Sequence, residues 1–385
     1  MKRILLIVVG ACIILAGIVY YFSPQFVSPA REPLYGAYQA SDLVTHTNYE
    51  NAQALEITKD PLETIRMVNQ LGVSGSLKKL HEESQETDGI CHTGAHRVGV
   101  AAFELFGERA FSMCDSSCHF GCVHGAMDRL VSEEGATQLL SSVQKYCSAF
   151  DTHFYQYSCF HGSGHGFLTS SNYDLPAAID GCRLLDTTRA QDACIEGVFM
   201  ENVMAGGGES SGADQNWLSR DDLYFPCTLF NDDPQVTRWC YDVQAQWIIK
   251  VLKDSSQVRD ECLDAPGNGA QACLGNLAKA TSFQRWHVPE RTVTFCRELP
   301  MEYQEHCLIE ASRLALQAYD RDFTGQGTAF CKGMTDLDAK EICVRTQSET
   351  VGEMYALDEE RITVCNLFEE QYRAQCLTTA RTISL

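Results

Sequence analysis

The sequence predicts an all-α protein: a disulfide-stapled α-solenoid of helical-hairpin repeats that follows an N-terminal transmembrane helix. Three observations predict it. Cysteines recur in pairs with a period near 35 residues, the period of helical hairpins. Apolar residues between the pairs recur at helical spacing. An uncharged apolar run opens the chain.

The chain starts Met1-Lys2-Arg3 and continues without charge from Ile4 to Phe22, nineteen residues, long enough to cross the hydrocarbon core as a helix. The run closes on Tyr20-Tyr21-Phe22, which suits a membrane interface. Signal-peptide apolar regions are shorter and end in small residues. Residues 1–3 therefore read as a cytoplasmic end, 4–22 as an anchor to the membrane, and the remainder as periplasmic or extracellular. Cleavage near Ala30 and lipidation at Cys12 are the competing readings of this segment. Residues 23–55, with Pro24, Pro29 and Pro33 and no clear period, read as a stalk. Asp60-Pro61 predicts a helix start, an N-cap followed by proline at the first helical position.

The pairs are Cys147/Cys159, Cys182/Cys194, Cys227/Cys240, Cys262/Cys273, Cys296/Cys307, Cys331/Cys343 and Cys365/Cys376. Their first members lie 35, 45, 35, 34, 35 and 34 residues apart. Within a repeat, Val288–Leu299 reads as one helix ending near Cys296, and a second runs from Met301 towards Tyr319 with Cys307 early in it. Each pair should thus join the end of a first helix to the start of a second, closing a loop worth about 3 kcal/mol in the chain-entropy picture. Phase pairs Cys114 with Cys122 and leaves Cys118 to reach back to Cys91. In outline the pattern resembles Sel1-like and tetratricopeptide-like solenoids, although their consensus of Gly, Ala and Tyr positions is absent. The long interval holds a glycine-rich insertion, residues 205–222, between N-terminal repeats (56–204) and C-terminal repeats (223–385).

Eighteen cysteines beyond the apolar run, an even number without a CxxC pair, point to an oxidising compartment rather than to zinc knuckles. Outside the apolar run and its basic end the chain carries 28 basic and 51 acidic groups, a charge of −23. That surface repels nucleic acid and anionic lipid.

The first repeats differ from the rest. Their second helices start Cys91-His92-Thr93-Gly94-Ala95-His96, Cys122-Val123-His124-Gly125, Cys159-Phe160-His161-Gly162-Ser163-Gly164-His165 and Cys194-Ile195-Glu196-Gly197. All four have glycine three places after cysteine, which the later helices lack. Glycine costs a helix up to about 1 kcal/mol against alanine, so the register needs a reason: close helix packing, or room for a ligand.

Seven of the eleven histidines lie between His92 and His165. His92/His96 and His161/His165 are i, i+4 pairs, which place two rings on one helical face. The position two after cysteine holds His124, His161 and Glu196 in successive repeats, a ladder if the helices stack. His92, His96, His124, His161, His165 and Glu196 are therefore the candidate metal ligands. Asp128 and Glu201 are nearby acid/base candidates, His119 a loop residue and His153 a structural one. Disulfide sulfurs do not ligate, so the set is nitrogen and oxygen, suited to copper, zinc or iron. With an open position such an ion supports oxygen or hydrolytic chemistry. Two other readings compete. One is a scaffold whose concave face holds a protein partner. The other is haem attachment at Cys114-Asp115-Ser116-Ser117-Cys118-His119, one residue longer than CxxCH. The insertion at Gly206-Gly207-Gly208 is expected to form a rim or lid over the site.

Overall fold

The computed structural model describes residues 47–83, 88–115, 117–133, 136–206, 216–283, 288–319 and 325–383. The protein is all-helical, with no strand among the described residues. The apolar run at 4–22 lies outside them, and no described helix is long and apolar enough to cross a membrane.

The long helices are α1 (Pro61–Glu83), α2 (Asp88–Phe106), α3 (Gly121–Glu133), α5 (His153–Ser170), α7 (Thr188–Gly206), α8 (Pro234–Leu252), α10 (Gly269–Phe283), α12 (Met301–Tyr319), α14 (Leu337–Met354) and α16 (Glu370–Thr382). Each packs on the next in chain order. Shorter helices form a second layer: α4 (Ala136–Cys147), α6 (Leu175–Arg183), α9 (Ser255–Asp264), α11 (Pro289–Arg297), α13 (Gln326–Lys332) and α15 (Asp358–Cys365). In the repeat after the insertion, the short helix shrinks to a 3-10 turn at Cys227–Phe230.

Local sequence sets the boundaries. Asp60 accepts the Glu63 amide at the head of α1. Thr152, Asp174, Asp233, Asp254 and Asp336 cap α5, α6, α8, α9 and α14 with side-chain oxygens, each such cap being worth about 1 kcal/mol. Proline occupies the first turn of α6, α8 and α11, where its missing N–H is no loss. The described end of the stalk segment packs onto α1: Tyr49 is fully buried and its hydroxyl donates to Glu63 at 2.6 Å.

All nine bridges follow the spacing, including Cys91–Cys118 and Cys114–Cys122. Both sulfurs of the stretched haem-like motif are therefore engaged, and neither is free to carry a thioether.

Contact between backbones explains two of the four glycines in register, Gly125 and Gly197, and also Gly99 and Gly164; Gly94 faces the Leu80 side chain at 2.9 Å and Gly162 faces His124 at 3.0 Å. A Cβ on Gly125 would stand 1.8 Å from the His96 carbonyl oxygen, and one on Gly99 2.0 Å from that of Cys122. The α5–α7 crossing repeats the arrangement, with Gly197 against the His161 carbonyl and Gly164 against that of Cys194, both at 2.0 Å. No side chain fits there.

One long-range contact departs from the nearest-neighbour order. α14 packs against α5, and Arg189 of α7 reaches Glu353 of α14 at 3.7 Å.

Candidate metal centre

The glycine crossings bring α2, α3, α5 and α7 so close that imidazoles on different helices meet. His92 and His96 face each other on α2 with ring centroids 4.8 Å apart, and His161 and His165 on α5 at 5.0 Å. His124, alone on α3, lies between the pairs. It is 5.3 Å from His92, 5.2 Å from His96, 5.2 Å from His161 and 5.6 Å from His165. His96 and His165 close the group at 5.4 Å. Ligand nitrogens of His92, His96 and His124 lie within 4.8 Å of one another.

Four of the five rings are held from behind at Nδ1. His92 Nδ1 donates to the Cys118 carbonyl (2.9 Å). His161 Nδ1 meets Glu196 Oε2 at 3.1 Å and His165 Nδ1 meets Glu201 Oε2 at 3.1 Å. His96 Nδ1 lies 3.5 Å from Asp128 Oδ2. The carboxylates are themselves fixed: Tyr157 Oη donates to Glu196 (2.8 Å) and Tyr173 Oη to Glu201 (3.0 Å). This is how proteins orient ligating histidines, with one ring nitrogen tied to an oxygen and the other turned to the ion.

Three nitrogens of the cluster lack protein partners. His96 Nε2 and both nitrogens of His124 are buried without a hydrogen bond. His161 Nε2 and His165 Nε2 point at each other across 3.1 Å. With both Nδ1 atoms donating to carboxylates, two lone pairs oppose each other there, a repulsion that a cation between them removes. Unpaired buried polar atoms cost about 1–3 kcal/mol each, and their clustering in one hollow is the unusual feature.

Electrostatics favour neutral rings. Burial, reinforced by His161, pushes His96 down to about 3 and holds His124 and His165 well below the ordinary histidine range. Neutral imidazole is the ligating form. Burial lifts Asp128 to about 8. At Glu196 burial acts upward, but His161, Lys279 and Tyr157 outweigh it and leave the carboxylate at about 2.

Of the six residues that sequence spacing nominated, five converge on the hollow. Glu196 stands behind His161 and faces away from the other rings. His153 begins α5, eight residues before His161, and His119 lies in the 3-10 turn Ser117–Phe120. Tyr157, Tyr173 and the Cys118 carbonyl were not nominated; nothing in spacing alone marks them. Asp242 was within reach, being two places after Cys240 and so next on the ladder after Glu196. It is buried and pairs with Lys279 at 2.9 Å. A second metal-like grouping, His81 with Cys91 and Cys118, has its two sulfurs in a disulfide.

The insertion is described only at its ends. Gly206 closes α7, and the returning chain is pinned: the Trp217 amide donates to Asn202 (2.9 Å) and its indole to the Tyr173 carbonyl (2.8 Å).

No protein-family model, curated protein or solved structure matches the chain.

Proposed function

We propose that the protein is an extracytoplasmic metal protein whose five-histidine hollow holds a transition-metal ion of the copper, zinc or iron class. One observation carries the reading: five clustered imidazoles on three helices, four of them anchored at Nδ1, bring together His96 Nε2 and both His124 nitrogens, which are buried without a hydrogen bond, and the His161 and His165 Nε2 atoms, which oppose each other at 3.1 Å. Nitrogens bound at about 2.0–2.1 Å to one tetrahedral ion are about 3.4 Å apart, so the His161/His165 pair needs little adjustment and the α2 rings modest rotation. Glu196 and Glu201 then act as anchors that raise imidazole basicity rather than as ligands.

The surrounding architecture is a solenoid of hairpins that curves until α14 meets α5. The apolar run at 4–22 tethers it to a membrane, with the body on the periplasmic or extracellular side. Nine disulfides support the oxidising compartment.

Elemental analysis of protein purified without a histidine tag, after exposure to copper, zinc and iron separately, tests the centre. About one ion per chain or more is expected, and less than roughly 0.2 would overturn the reading in favour of a metal-free protein scaffold. His161→Ala together with His165→Ala should lower retention sharply while leaving the helical content intact.

A further inference from the structure

Five inward histidines exceed what a single four-coordinate ion uses, and their arrangement around one member is not symmetric. His124 differs from the other four in two respects. It is the one ring whose Nδ1 and Nε2 are both buried without a hydrogen bond, whereas a carbonyl or carboxylate stands behind each of the others. It also lies between the two i, i+4 pairs, 5.2–5.6 Å from all four rings. The residue is only 5 % exposed, so water does not supply the missing contacts from bulk solvent.

We propose that the centre is dinuclear and that His124 bridges two metal ions as an imidazolate, with His92 and His96 completing one side and His161 and His165 the other. This rests on the metal-binding reading above. An imidazole has two in-plane donor directions on opposite sides of the ring, and a ligand that binds through both must release its N–H proton to solvent as the second ion takes that nitrogen. A carbonyl or carboxylate oxygen held against either nitrogen would block one direction. None is present at His124, while each flanking pair is anchored so that Nε2 is its donor. Each ion then receives three nitrogens and keeps an open position. The ring and two nitrogen–metal bonds of about 2.0 Å fix the ions about 6 Å apart, too far for a single-atom bridge, so electronic communication runs through the ring.

The glycines make this geometry available. Gly125 lies one residue after His124 and contacts the His96 carbonyl, while Gly162, one residue after His161, would place a Cβ 3.0 Å from His124 Cα and Cδ2. A bulkier residue at either place would move the central ring away from one of its pairs.

Copper(II) loading of the full-length oxidised chain separates the outcomes. The expected result is about two copper ions per chain with a low-temperature spin-resonance signal far below two spins, because ions joined by an imidazolate couple antiferromagnetically. His124→Gln should restore full, uncoupled spin intensity for whatever copper remains. His92→Ala with His96→Ala should leave about one copper per chain at full intensity. Two uncoupled ions, or a single ion in the unaltered chain, would overturn the bridge while leaving the metal reading intact. No copper, zinc or iron retained at all would overturn both.

Discussion

The two halves of the chain use the same disulfide-stapled hairpin and line its interior differently. In the first half, four backbone contacts at Gly99, Gly125, Gly164 and Gly197 draw the long helices together, and the residues facing inward are imidazoles. In the second half, among the described residues, only Gly352 comes so close to a neighbouring helix backbone, 2.6 Å from the Ala380 carbonyl oxygen. There the inward groups are fixed charges: Lys279 pairs with Asp242 and approaches Glu310, which Arg313 also holds at 2.9 Å. Buried hydroxyls bond back to their own helix, as Ser312 does to Leu308 and Ser348 to Val344. Tyr241, Thr292 and Gln347 each keep one orphan atom, scattered over separate helices. Polar groups in the second half thus mostly stabilise the array. Those in the first half are gathered at a cost to stability, which is the mark of a working site.

That contrast can be broken at several points. The largest effect is expected from Lys279→Met, which leaves Asp242 buried without its cation. Such losses run to about 3–5 kcal/mol. Denaturant unfolding should show it; because Lys279 also helps keep Glu196 ionised behind His161, metal retention should fall as well, and unchanged metal content would mean that the two halves are separate in role.

Acidification should strike the first half next. Below the ordinary histidine value of 6.5 the unfolded chain takes up protons that the folded rings of His96, His124 and His165 refuse. Stability is therefore lost as pH falls. Asp128 works oppositely, keeping its proton up to about 8 when folded, and offsets one of the three. The three rings outnumber the one carboxyl, so the balance is a loss of stability as pH falls below 6.5. Melting of metal-free protein across that window would reveal it, and a flat profile would show that the rings are not buried neutral.

Gly125→Ala should cost about 1–3 kcal/mol by forcing α2 and α3 apart and should also lower metal retention. Gly275→Ala, whose new methyl meets side chains rather than backbone, the His306 ring at 2.8 Å and Glu310 Cγ at 3.2 Å, should cost less and leave metal content alone. The smallest effect carries the opposite sign. His124→Leu should stabilise the metal-free chain by about 1–2 kcal/mol, since it removes two unsatisfied buried atoms, yet should abolish the stabilisation that added metal gives. A destabilised metal-free variant would argue that His124 is ordinary core.

Much of this was legible in the sequence. Cysteine phase assigned eight of the nine bridges, because a staple between neighbouring antiparallel helices admits only a narrow separation; Cys91–Cys118, 27 residues apart, followed only as the pair left over. The convergence of His124 and His161 was legible from their shared place two residues after cysteine. Glycine spacing raised two explanations, and only coordinates show that the contacts at Gly125 and Gly197 are backbone to backbone. The tyrosines behind Glu196 and Glu201 were invisible because their role depends on where α5 and the turn at Tyr173 meet α7, a tertiary matter with no periodic signal. The return of α14 onto α5 was equally hidden, since curvature accumulates from small rotations that no single repeat displays.

The Cys91–Cys118 bridge has a bearing on the order of maturation. The carbonyl that orients His92 belongs to Cys118, so the crosslink fixes the scaffold of the hollow before any ion arrives. A newly made chain in reducing surroundings would instead offer eighteen thiols along the repeats, soft competitors that capture copper or zinc at the wrong places. If the hollow holds metal as proposed, crosslinking first and metal second is the order that this layout would favour, and export of an unloaded chain would achieve it.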